Sequence, residues 1–288
     1  MHQIVGDGWT LAARTKKSRR RRVFSAFTTP KCHANLGALP HNAFVGDEAA
    51  AVDSVPLSAR AELAARMGRL RHKFPPKFRH GILCFVERIL CDRPLALIRT
   101  FGIGPFENGI DSAYQLILLE AIKDRFSVPL VTSQDPVTTL CETDYLASRG
   151  ITVLPSDDLL SAPPIDVCQP NYTLLFMIHF SGTNEMYDNV LSYYRHRHRL
   201  QNVILVGNDP NLGITSSFLP INGTNDGSPP SDSVPFANLC TFARQSVAFS
   251  LPNFEAAENA FHSTSISFLD IDRESEENLG KMFIDCVS

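Results

Sequence analysis

Glycines and small polar residues follow several apolar segments of this 288-residue chain, at points where strands of a parallel sheet would end. At that edge of the sheet α/β proteins form the crevice in which they bind ligands, and glycine lets the backbone approach a ligand closely. The sequence therefore predicts a ligand crevice at the carboxyl ends of the strands, which could hold haem or a nucleotide. The candidate ligand-binding residues are Gly102, Gly104, Asp135, His179, Gly207 and Asn208.

The segment Pro94–Phe126 has the order of an apolar strand, a glycine turn and a helix. This order brings backbone N–H groups and a helix N-terminus together, which favours binding of an anion such as phosphate. The dinucleotide pattern G-x-G-x-x-G is incomplete, because Glu107 occupies its third glycine position and its charge opposes a pyrophosphate. Asp135 stands where such folds often bind a ribose hydroxyl, and also where it could open the next turn. Both interpretations are compatible with the residues alone.

His179 ends the most apolar strand and could act as a general base, bind haem or hydrogen-bond a neighbouring loop. Cys141 together with His179 could supply a thiol nucleophile. The chain has no H-E-x-x-H, G-x-S-x-G or P-loop motif, and its seven cysteines include no C-x-x-C pair. We therefore assign no catalytic residue and no metal site, and the sequence favours a protein that is not an enzyme without excluding catalysis.

Short apolar, β-branched segments alternate with helical patterns through the middle of the chain. This alternation predicts an α/β fold, with a Rossmann-like, doubly wound, mostly parallel sheet and helices on both faces. The predicted strands are Leu95–Phe101, Val128–Thr132, Ile151–Leu154, Tyr172–Ile178 and Asn202–Val206, with edge strands at Ser246–Leu251 and Ser265–Leu269. The predicted helices are Asp111–Phe126, Cys141–Arg149, Asn184–Tyr194 and a short one near Glu255–Phe261.

Composition divides the chain into four segments. Residues 1–56 are predicted to be a disordered basic tail and linker, 57–92 a helical lead-in, 93–270 the α/β domain and 271–288 an acidic C-terminal end. Turn-forming residues at 209–235 predict a mobile loop within the domain. In the lead-in, Pro75 and Pro76 separate two helices, and the second helix carries an apolar stripe that should pack against the domain.

The charge of the chain is unevenly distributed, although the formal net charge is only -3. Residues 1–31 carry eight Lys and Arg against one Asp, so the remainder is acidic and only the tail could contact nucleic acid. No apolar run reaches the roughly 20 residues of a membrane span, and no secretory signal is present, which predicts a protein of the cytoplasm and nucleus without a membrane partner. The candidate nuclear-import residues are Lys16, Lys17, Arg19, Arg20, Arg21 and Arg22.

An ordered series of short motifs resembles the sensitivity-to-red-light-reduced (SRR-like) family of eukaryotic proteins. The similarity covers the basic tail and roughly Leu95–Leu269, and the motifs are fairly specific because they occur in the family's order. They are Trp9 with the Lys/Arg run, Phe101–Gly104 with Ser112–Leu116, Asp135–Val137, Gly150–Leu154, Thr173–His179, Tyr187–Leu191, Val203–Asn208, and Phe254 with Asn259–His262.

The resemblance implies a regulatory role in circadian-clock output and clock-gene expression and in haem biosynthesis, and in fungi the family is linked to microtubule-related phenotypes. Two positions depart from the family pattern. Its Pro-His-Cys reads Ile178-His179-Phe180, so the cysteine that would assist haem or metal binding there is absent, and Tyr193-Tyr194 replaces an Asn-Trp pair. The resemblance supplies no catalytic residue.

Two other classes of function are compatible with the sequence. A Rossmann-like enzyme or ligand sensor would bind a nucleotide, S-adenosylmethionine or haem at the strand ends. A scaffold would bind protein partners, as yet unknown, through helix 77–91 or through the run Tyr193–Arg199. Neither the ligand nor the oligomeric state follows from the sequence.

Overall fold

The structure, a computed structural model, describes residues 4–5, 9–10, 55–155, 171–178, 184–196, 200–210 and 236–269. The chain divides into two units, residues 1 and 13–54 and residues 2–12 and 55–288, and the described residues lie in the second. Three features predicted from the sequence fall outside the described residues. They are the basic run at 16–22, His179 and the acidic end at 271–288. The predicted loop at 209–235 is described only at its first two residues.

The elements alternate between helix and strand through most of the described chain. The strands are β1 (Ile4–Val5), β2 (Trp9–Thr10), β3 (Leu95–Phe101), β4 (Leu130–Gln134), β5 (Thr152–Val153), β6 (Tyr172–Met177), β7 (Val203–Asn208), β8 (Ser246–Ser250) and β9 (Thr264–Leu269). The helices are α1 (Leu57–Lys73), α2 (Pro76–Leu90), α3 (Ile110–Arg125), α4 (Leu140–Ser148), α5 (Asn184–His196) and α6 (Ala237–Gln245), with a 3-10 turn at Leu200–Asn202.

A seven-stranded sheet in the order β5-β4-β3-β6-β7-β9-β8 forms the centre of the fold. The five strands from β5 to β7 are parallel, whereas β9 runs antiparallel to both β7 and β8. The mixed α/β class predicted from the sequence is confirmed. Chain order reverses at β3, which pairs with β4 on one side and with β6 on the other. A reversal of this kind opens a crevice at the carboxyl ends of the two flanking strands.

Side chains of the central strands alternate between two packed faces. On β6, Leu174 and Phe176 pack in a core with residues of α1, α2, α3 and α4, whereas Leu175 and Met177 pack with residues of α5 and α6. All six residues of β6 are buried, as expected for a strand covered on both faces. We call these two sides of the sheet the α3 face and the α5 face.

The two helices of the lead-in belong to the core of the α3 face. Met67 of α1 and Ile82 and Phe85 of α2 are fully buried there, and the ring of Phe85 lies 4.9 Å from that of Phe249 on β8. Pro76 is the first residue of α2, a position at which the missing N–H of proline costs no helical hydrogen bond. The apolar stripe of the second helix therefore packs against the sheet.

The second parallel strand begins two residues later than predicted. Val128 donates its N–H to the carbonyl of Lys123 at 3.0 Å, and Ser127 adopts a left-handed φ of 48°. Val128 therefore closes the C-terminus of α3 rather than beginning β4. Apolar character alone does not distinguish these two uses of a β-branched residue.

The helix predicted near Glu255–Phe261 is wrong, and the helix α6 was not predicted. Residues 254–263 form successive turns, with N–H to carbonyl bonds from Ala257 to Phe254 and from Ala260 to Ala257. Phe254 and Phe261 bury their rings against Phe74, Phe78 and Tyr114, so tertiary packing rather than helix formation explains the apolar spacing. The sequence around α6 has no local capping signal at its start.

Within the described part of the chain, no helix has the length and apolar character needed to cross a membrane.

Candidate functional site

The glycine turn between β3 and α3 requires its glycines for steric reasons. Gly102 and Gly104 have φ values of 62° and 80°, which residues with a Cβ rarely adopt. A Cβ on Gly104 would lie 2.9 Å from Oγ of Ser112 on α3. The spacing of these glycines is therefore set by a tight connection from strand to helix.

The backbone N–H groups of this turn are bonded to protein oxygens. Gly102 donates to the carbonyl of Gln134 at 3.1 Å, and Gly109 donates to the carbonyl of Pro105 at 2.9 Å. Gly104 donates to Oδ2 of Asp135 at 2.6 Å, and Glu107 donates to Oε1 of Glu142 at 2.7 Å. These four groups cannot bind a phosphate without giving up an existing bond. The turn is thus held closed by β4 and α4.

Asp135 fastens the glycine turn to the end of β4. One carboxylate oxygen accepts the N–H of Gly104, and the other accepts the N–H of Val137 at 3.0 Å. Of the two interpretations of Asp135, the turn-forming one is therefore realised in this structure. The ribose contact stays a prediction, since each carboxylate oxygen has a second lone pair.

Glu142 joins the same loop to the start of α4. Its carboxylate accepts the N–H of Thr139 at 2.9 Å, while Oγ1 of Thr139 accepts the N–H of Glu142 at 3.2 Å, forming a capping box. Because the other oxygen of Glu142 binds the Glu107 amide, one fully buried carboxylate organises both the helix start and the turn. Sequence reasoning passed over this residue, although T-x-x-E before an apolar stretch is the usual signal of a capping box.

The thiol of Cys141 does not fit the role of a nucleophile. Burial raises its pKa, and the nearby carboxylates of Glu107, Asp144 and Glu142 raise it further because they oppose a second negative charge. The group therefore stays protonated at neutral pH, whereas the thiolate is the reactive form. The pairing with His179 lies outside the described residues.

Gly207 and Asn208 end β7 on the other side of β6. A Cβ on Gly207 would lie 2.9 Å from the carbonyl oxygen of Met177, so the close approach of β6 explains this glycine. Tyr187 of α5 donates its hydroxyl to the Met177 carbonyl at 3.1 Å and accepts a backbone hydrogen bond from Asn208. Burial raises the pKa of Tyr187, so its hydroxyl stays neutral and joins the ends of β6 and β7.

The structure thus places the described candidate residues in two groups at the carboxyl ends of the parallel strands. Gly102, Gly104 and Asp135 form one group around the turn after β3, and Gly207 and Asn208 form the other at the end of β7. The strand β6 separates them and ends at Met177, two residues before His179. Tyr187, which sequence reasoning did not select as a site residue, belongs to the second group.

Arginines of the lead-in helix α1 hold the glycine turn from the outside. The guanidinium of Arg66 donates to the carbonyls of Phe106 and Gly109, and Arg60 pairs with Asp144 of α4 at 2.7 Å. These contacts join residues 40 or more positions apart, and no local sequence signal identifies them. They make α1 part of the site's support rather than a separate appendage.

A buried carboxylate lies between α1, α3 and α4. Glu120, 2% exposed, accepts hydrogen bonds from Nη2 of Arg71, from Nε of Arg149 at 2.9 Å and from the hydroxyl of Tyr145 at 3.3 Å. Burial alone would lower the pKa of Arg71, but hydrogen bonding and the charge of Glu120 raise it overall. We call Glu120, Arg71, Arg149 and Tyr145 the Glu120 cluster.

Two other polar residues from the sequence motifs have structural roles. Gln115 of α3 donates its side-chain amide to the carbonyl of Ala260 at 2.8 Å and so fixes the aromatic turn. Asp188 of α5 accepts the N–H groups of Asn238 and Leu239 at 2.7 and 2.8 Å. It therefore caps the start of α6 from a different helix, a contact that the local sequence cannot indicate.

No group of three or more His, Cys, Asp or Glu residues in the described ranges has the geometry to hold a metal ion. The site consists instead of a closed glycine turn, carboxylates that accept backbone N–H groups, and neutral buried hydroxyl and thiol groups.

Residues 86–268 match a family model described as SRR1 domain. No curated protein matches the chain. Among solved structures, the plantazolicin methyltransferase BpumL, in complex with a triazolic desmethylPZN analog and SAH, gives a TM-score of 0.30 at 14% identity, covering 57% of this chain and 62% of that one. A putative Zn-dependent alcohol dehydrogenase from Rhodobacter sphaeroides gives 0.27 at 15% identity, covering 58% and 66%. The chain thus spans less than two thirds of either protein, and similarity this low bears on neither ligand nor activity.

Proposed function

Because this chain belongs to the SRR1 domain family, matched over residues 86–268, we propose that it is a regulatory protein. Its proposed role is in the control of circadian-clock gene expression and of haem biosynthesis, as the family resemblance implies. The observation that best supports a role other than catalysis is the closed glycine turn, in which Asp135 and Glu142 already accept the amides of Gly104 and Glu107. A turn held in this way serves as a rigid part of the domain.

Loss of the gene tests this proposal. We expect altered rhythms of clock-gene transcripts and altered haem levels, both restored by the wild-type chain. Rescue by the variant Asp135→Ala, which removes the support of the turn, should be weaker than rescue by Val137→Ala at a neighbouring exposed side chain. Unaltered rhythms together with unaltered haem levels in the deletion strain would contradict the proposed role.

We propose that the protein acts in both the cytoplasm and the nucleus and that the run Lys16–Arg22 directs import. Six basic residues within seven positions support this, since such runs are typical of nuclear-import signals. A fluorescent fusion whose Arg19–Arg22 are replaced by alanine should shift toward the cytoplasm. Identical distributions of this variant and the wild type would rule out import through that run.

A second candidate function is a ligand sensor or enzyme that binds a nucleotide, S-adenosylmethionine or haem at Gly102, Gly104, Asp135, His179, Gly207 and Asn208. The reversal of chain order between β3 and β6 supports it, because ligands of open α/β sheets bind at such a point. Saturating ligand at a hundredfold excess over Kd should stabilise the protein by about 2.7 kcal/mol. Thermal-shift measurements with each ligand, on the wild type and on Asp135→Asn and Gly207→Ala, test this candidate. If no ligand changes the unfolding temperature of the wild type, the candidate is wrong.

We further propose that the domain, residues 93–270, is doubly wound in the Rossmann-like sense. The order β5-β4-β3-β6-β7 and the packing of α3 and α5 on opposite faces support this arrangement. An experimental structure in which the chain between β5 and β6 stays on the α3 face would contradict it.

A further inference from the structure

Arg99 is a buried cation in the centre of the sheet. It lies in the middle of β3, between Thr132 of β4 and Leu175 of β6, and is 2% exposed. Its side chain shares the α5 face with Phe101, since residues two apart on a strand point to the same side. The guanidinium carbon lies 5.0 Å from the centre of the Phe101 ring.

Two nitrogens of this guanidinium, Nε and Nη2, are buried and have no hydrogen-bond partner among the described residues. None of the ion pairs formed among the described residues includes Arg99. A guanidinium keeps its charge at any physiological pH, so it cannot escape the cost of burial by losing a proton. Attraction to an aromatic face is weaker than the cost of taking the cation out of water. None of the described residues therefore supplies the negative charge that a buried arginine normally has.

The groups around Arg99 are neutral hydrogen-bonding side chains. The hydroxyl of Tyr194 on α5 lies close enough to Arg99 and Thr173 for both to favour its ionised form, yet burial raises its pKa to about 12. Tyr194 is therefore neutral and cannot serve as the counter-ion, and its buried hydroxyl lies beside Arg99 and Thr173 without a well-aligned hydrogen bond to either. Thr132 and Thr173 are buried on the same face. Together these side chains line a polar position between the sheet and α5.

We propose that Arg99 is the charged donor of an oxyanion-binding site between β3 and α5, with Tyr194 as a second donor. The two nitrogens without partners lie on one edge of the guanidinium, and their N–H bonds point in parallel. This edge matches two oxygens of one carboxylate or one phosphate, the bidentate geometry for which arginine is best suited. The ligand class is therefore a small molecule that carries a carboxylate or phosphate group. The inference does not depend on the regulatory role proposed above.

This site is distinct from the predicted crevice. Arg99 lies two residues before the end of β3, and Tyr194 lies near the C-terminus of α5, away from the turn at Gly102 and Gly104. The signal was present in the sequence, because Arg99 is the single charged residue of the segment LALIRTF. A cation in a strand buried on both faces needs either a counter-ion from the protein or one from a ligand.

Thermal unfolding of the full-length chain tests the proposal with two probes, inorganic phosphate and succinate, at constant ionic strength. We expect at least one probe to raise the Tm saturably, by about 5–10 °C at a hundredfold excess over Kd. A response to phosphate alone identifies a phosphate-bearing ligand, and a response to succinate alone identifies a carboxylate-bearing one. The absence of a saturable response to either probe would overturn the proposal.

Variants at Arg99 and at a control arginine show whether the Tm shift arises at the proposed site. Arg99→Met should abolish the saturable shift, whereas Arg125→Met, which removes a half-exposed arginine paired with Glu87, should retain it in full. Arg99→Lys serves as a second variant in case Arg99→Met does not fold. It keeps the charge but lacks the two-nitrogen edge, so it should lose most of the Tm shift. An undiminished shift in Arg99→Lys would overturn the proposal.

A direct readout is the Nε–H resonance of Arg99 in protein labelled with 15N-arginine, assigned from its loss in Arg99→Lys. It should move along the same saturation curve as the Tm. A resonance that stays fixed while the Tm rises would place the anion elsewhere and overturn the proposal. The proposal would also be overturned if the resonance showed, without added anion, that the Arg99 Nε–H is already bonded to a carboxylate of the chain itself.

Discussion

Glu120 and Arg99 are buried to the same degree but differ in how their charges are compensated. Each is 2% exposed, and they lie on opposite faces of the sheet, Glu120 on the α3 face and Arg99 on the α5 face. Glu120 has two guanidinium partners and a tyrosine hydroxyl as donors. Arg99 has an aromatic ring and a neutral tyrosine beside it, and no carboxylate partner among the described residues. Each charge thus has a buried tyrosine next to it, which makes the two sites directly comparable.

The magnitudes show why this difference matters. Burial of one ion costs several kcal/mol, which a well-bonded pair can offset. A cation–π contact contributes only about 2 kcal/mol even when it is desolvated. The Glu120 cluster can therefore stabilise the contact between α1, α3 and α4 without a ligand, whereas Arg99 weakens the ligand-free protein. A buried charge without a partner among the described residues requires an explanation, and a bound anion supplies one at Arg99.

The largest expected effect comes from breaking the Glu120 cluster. Arg71→Met should lower the free energy of unfolding by about 3 kcal/mol, because a buried carboxylate then keeps only Arg149 as its charged partner. Urea denaturation measures this change. Arg125→Met is the matched control, since its pair with Glu87 is half exposed on both sides and should contribute less than about 1 kcal/mol. Equal losses in the two variants would remove the distinction between buried and surface pairs.

The next effect is a pH dependence at Tyr194. Its pKa is about 12 in the folded protein and about 10 when unfolded, so between these values the unfolded chain loses a proton that the folded one keeps. Its contribution to stability is fully present below pH 10 and is lost as the pH rises through about 12, by roughly 2–3 kcal/mol. Tyr194→Phe should remove this part of the decline in alkaline urea titrations. Parallel pH profiles for variant and wild type would mean that the hydroxyl is not buried.

Arg99→Met should act in the opposite direction from Arg71→Met. Replacing an uncompensated buried cation by an apolar side chain of similar length should raise the unfolding free energy of the ligand-free protein by about 1–2 kcal/mol. Urea denaturation in a buffer without phosphate or carboxylates measures it. A loss of stability as large as that of Arg71→Met would show that the chain itself supplies the counter-ion, and the two buried charges would then be equivalent.

Much of the fold was predictable, because the local pattern and the final environment agree. The strand Leu95–Phe101 was predicted with its observed ends, since an apolar segment before glycines leaves little choice. The sequence also predicted a glycine turn at Gly102 and Gly104, where the structure has φ values of 62° and 80°. Val128 was misassigned because a helix end and a strand start accept the same residue type.

Apart from the capping box at Thr139 and Glu142, the support of the site was not predictable, because it consists of contacts between distant positions. Asp188 caps α6 across 50 residues, and Arg66 bonds the glycine turn across about 40. Nothing in the neighbourhood of either residue in the sequence indicates its partner. Arg99 differs, since a charged residue inside an apolar strand is a local signal. Its importance depends on whether a partner is present, which only the structure can show.

The smallest effect gives the sharpest form of the comparison, since it concerns one hydroxyl at each site. Tyr145 accepts a hydrogen bond from Arg71 at 3.1 Å and donates one to Glu120, so Tyr145→Phe should cost about 1 kcal/mol at neutral pH. The hydroxyl of Tyr194 is buried without a well-aligned partner in the ligand-free protein, so Tyr194→Phe should cost no stability and should raise the unfolding free energy by about 1 kcal/mol. Added oxyanion should reverse this order, because Tyr194 then gains an acceptor while the Glu120 cluster is unchanged. Urea denaturation of both variants with and without phosphate or succinate measures the reversal. If the effect of Tyr194→Phe does not depend on the anion, this tyrosine is not a donor to the ligand and Arg99 binds it alone.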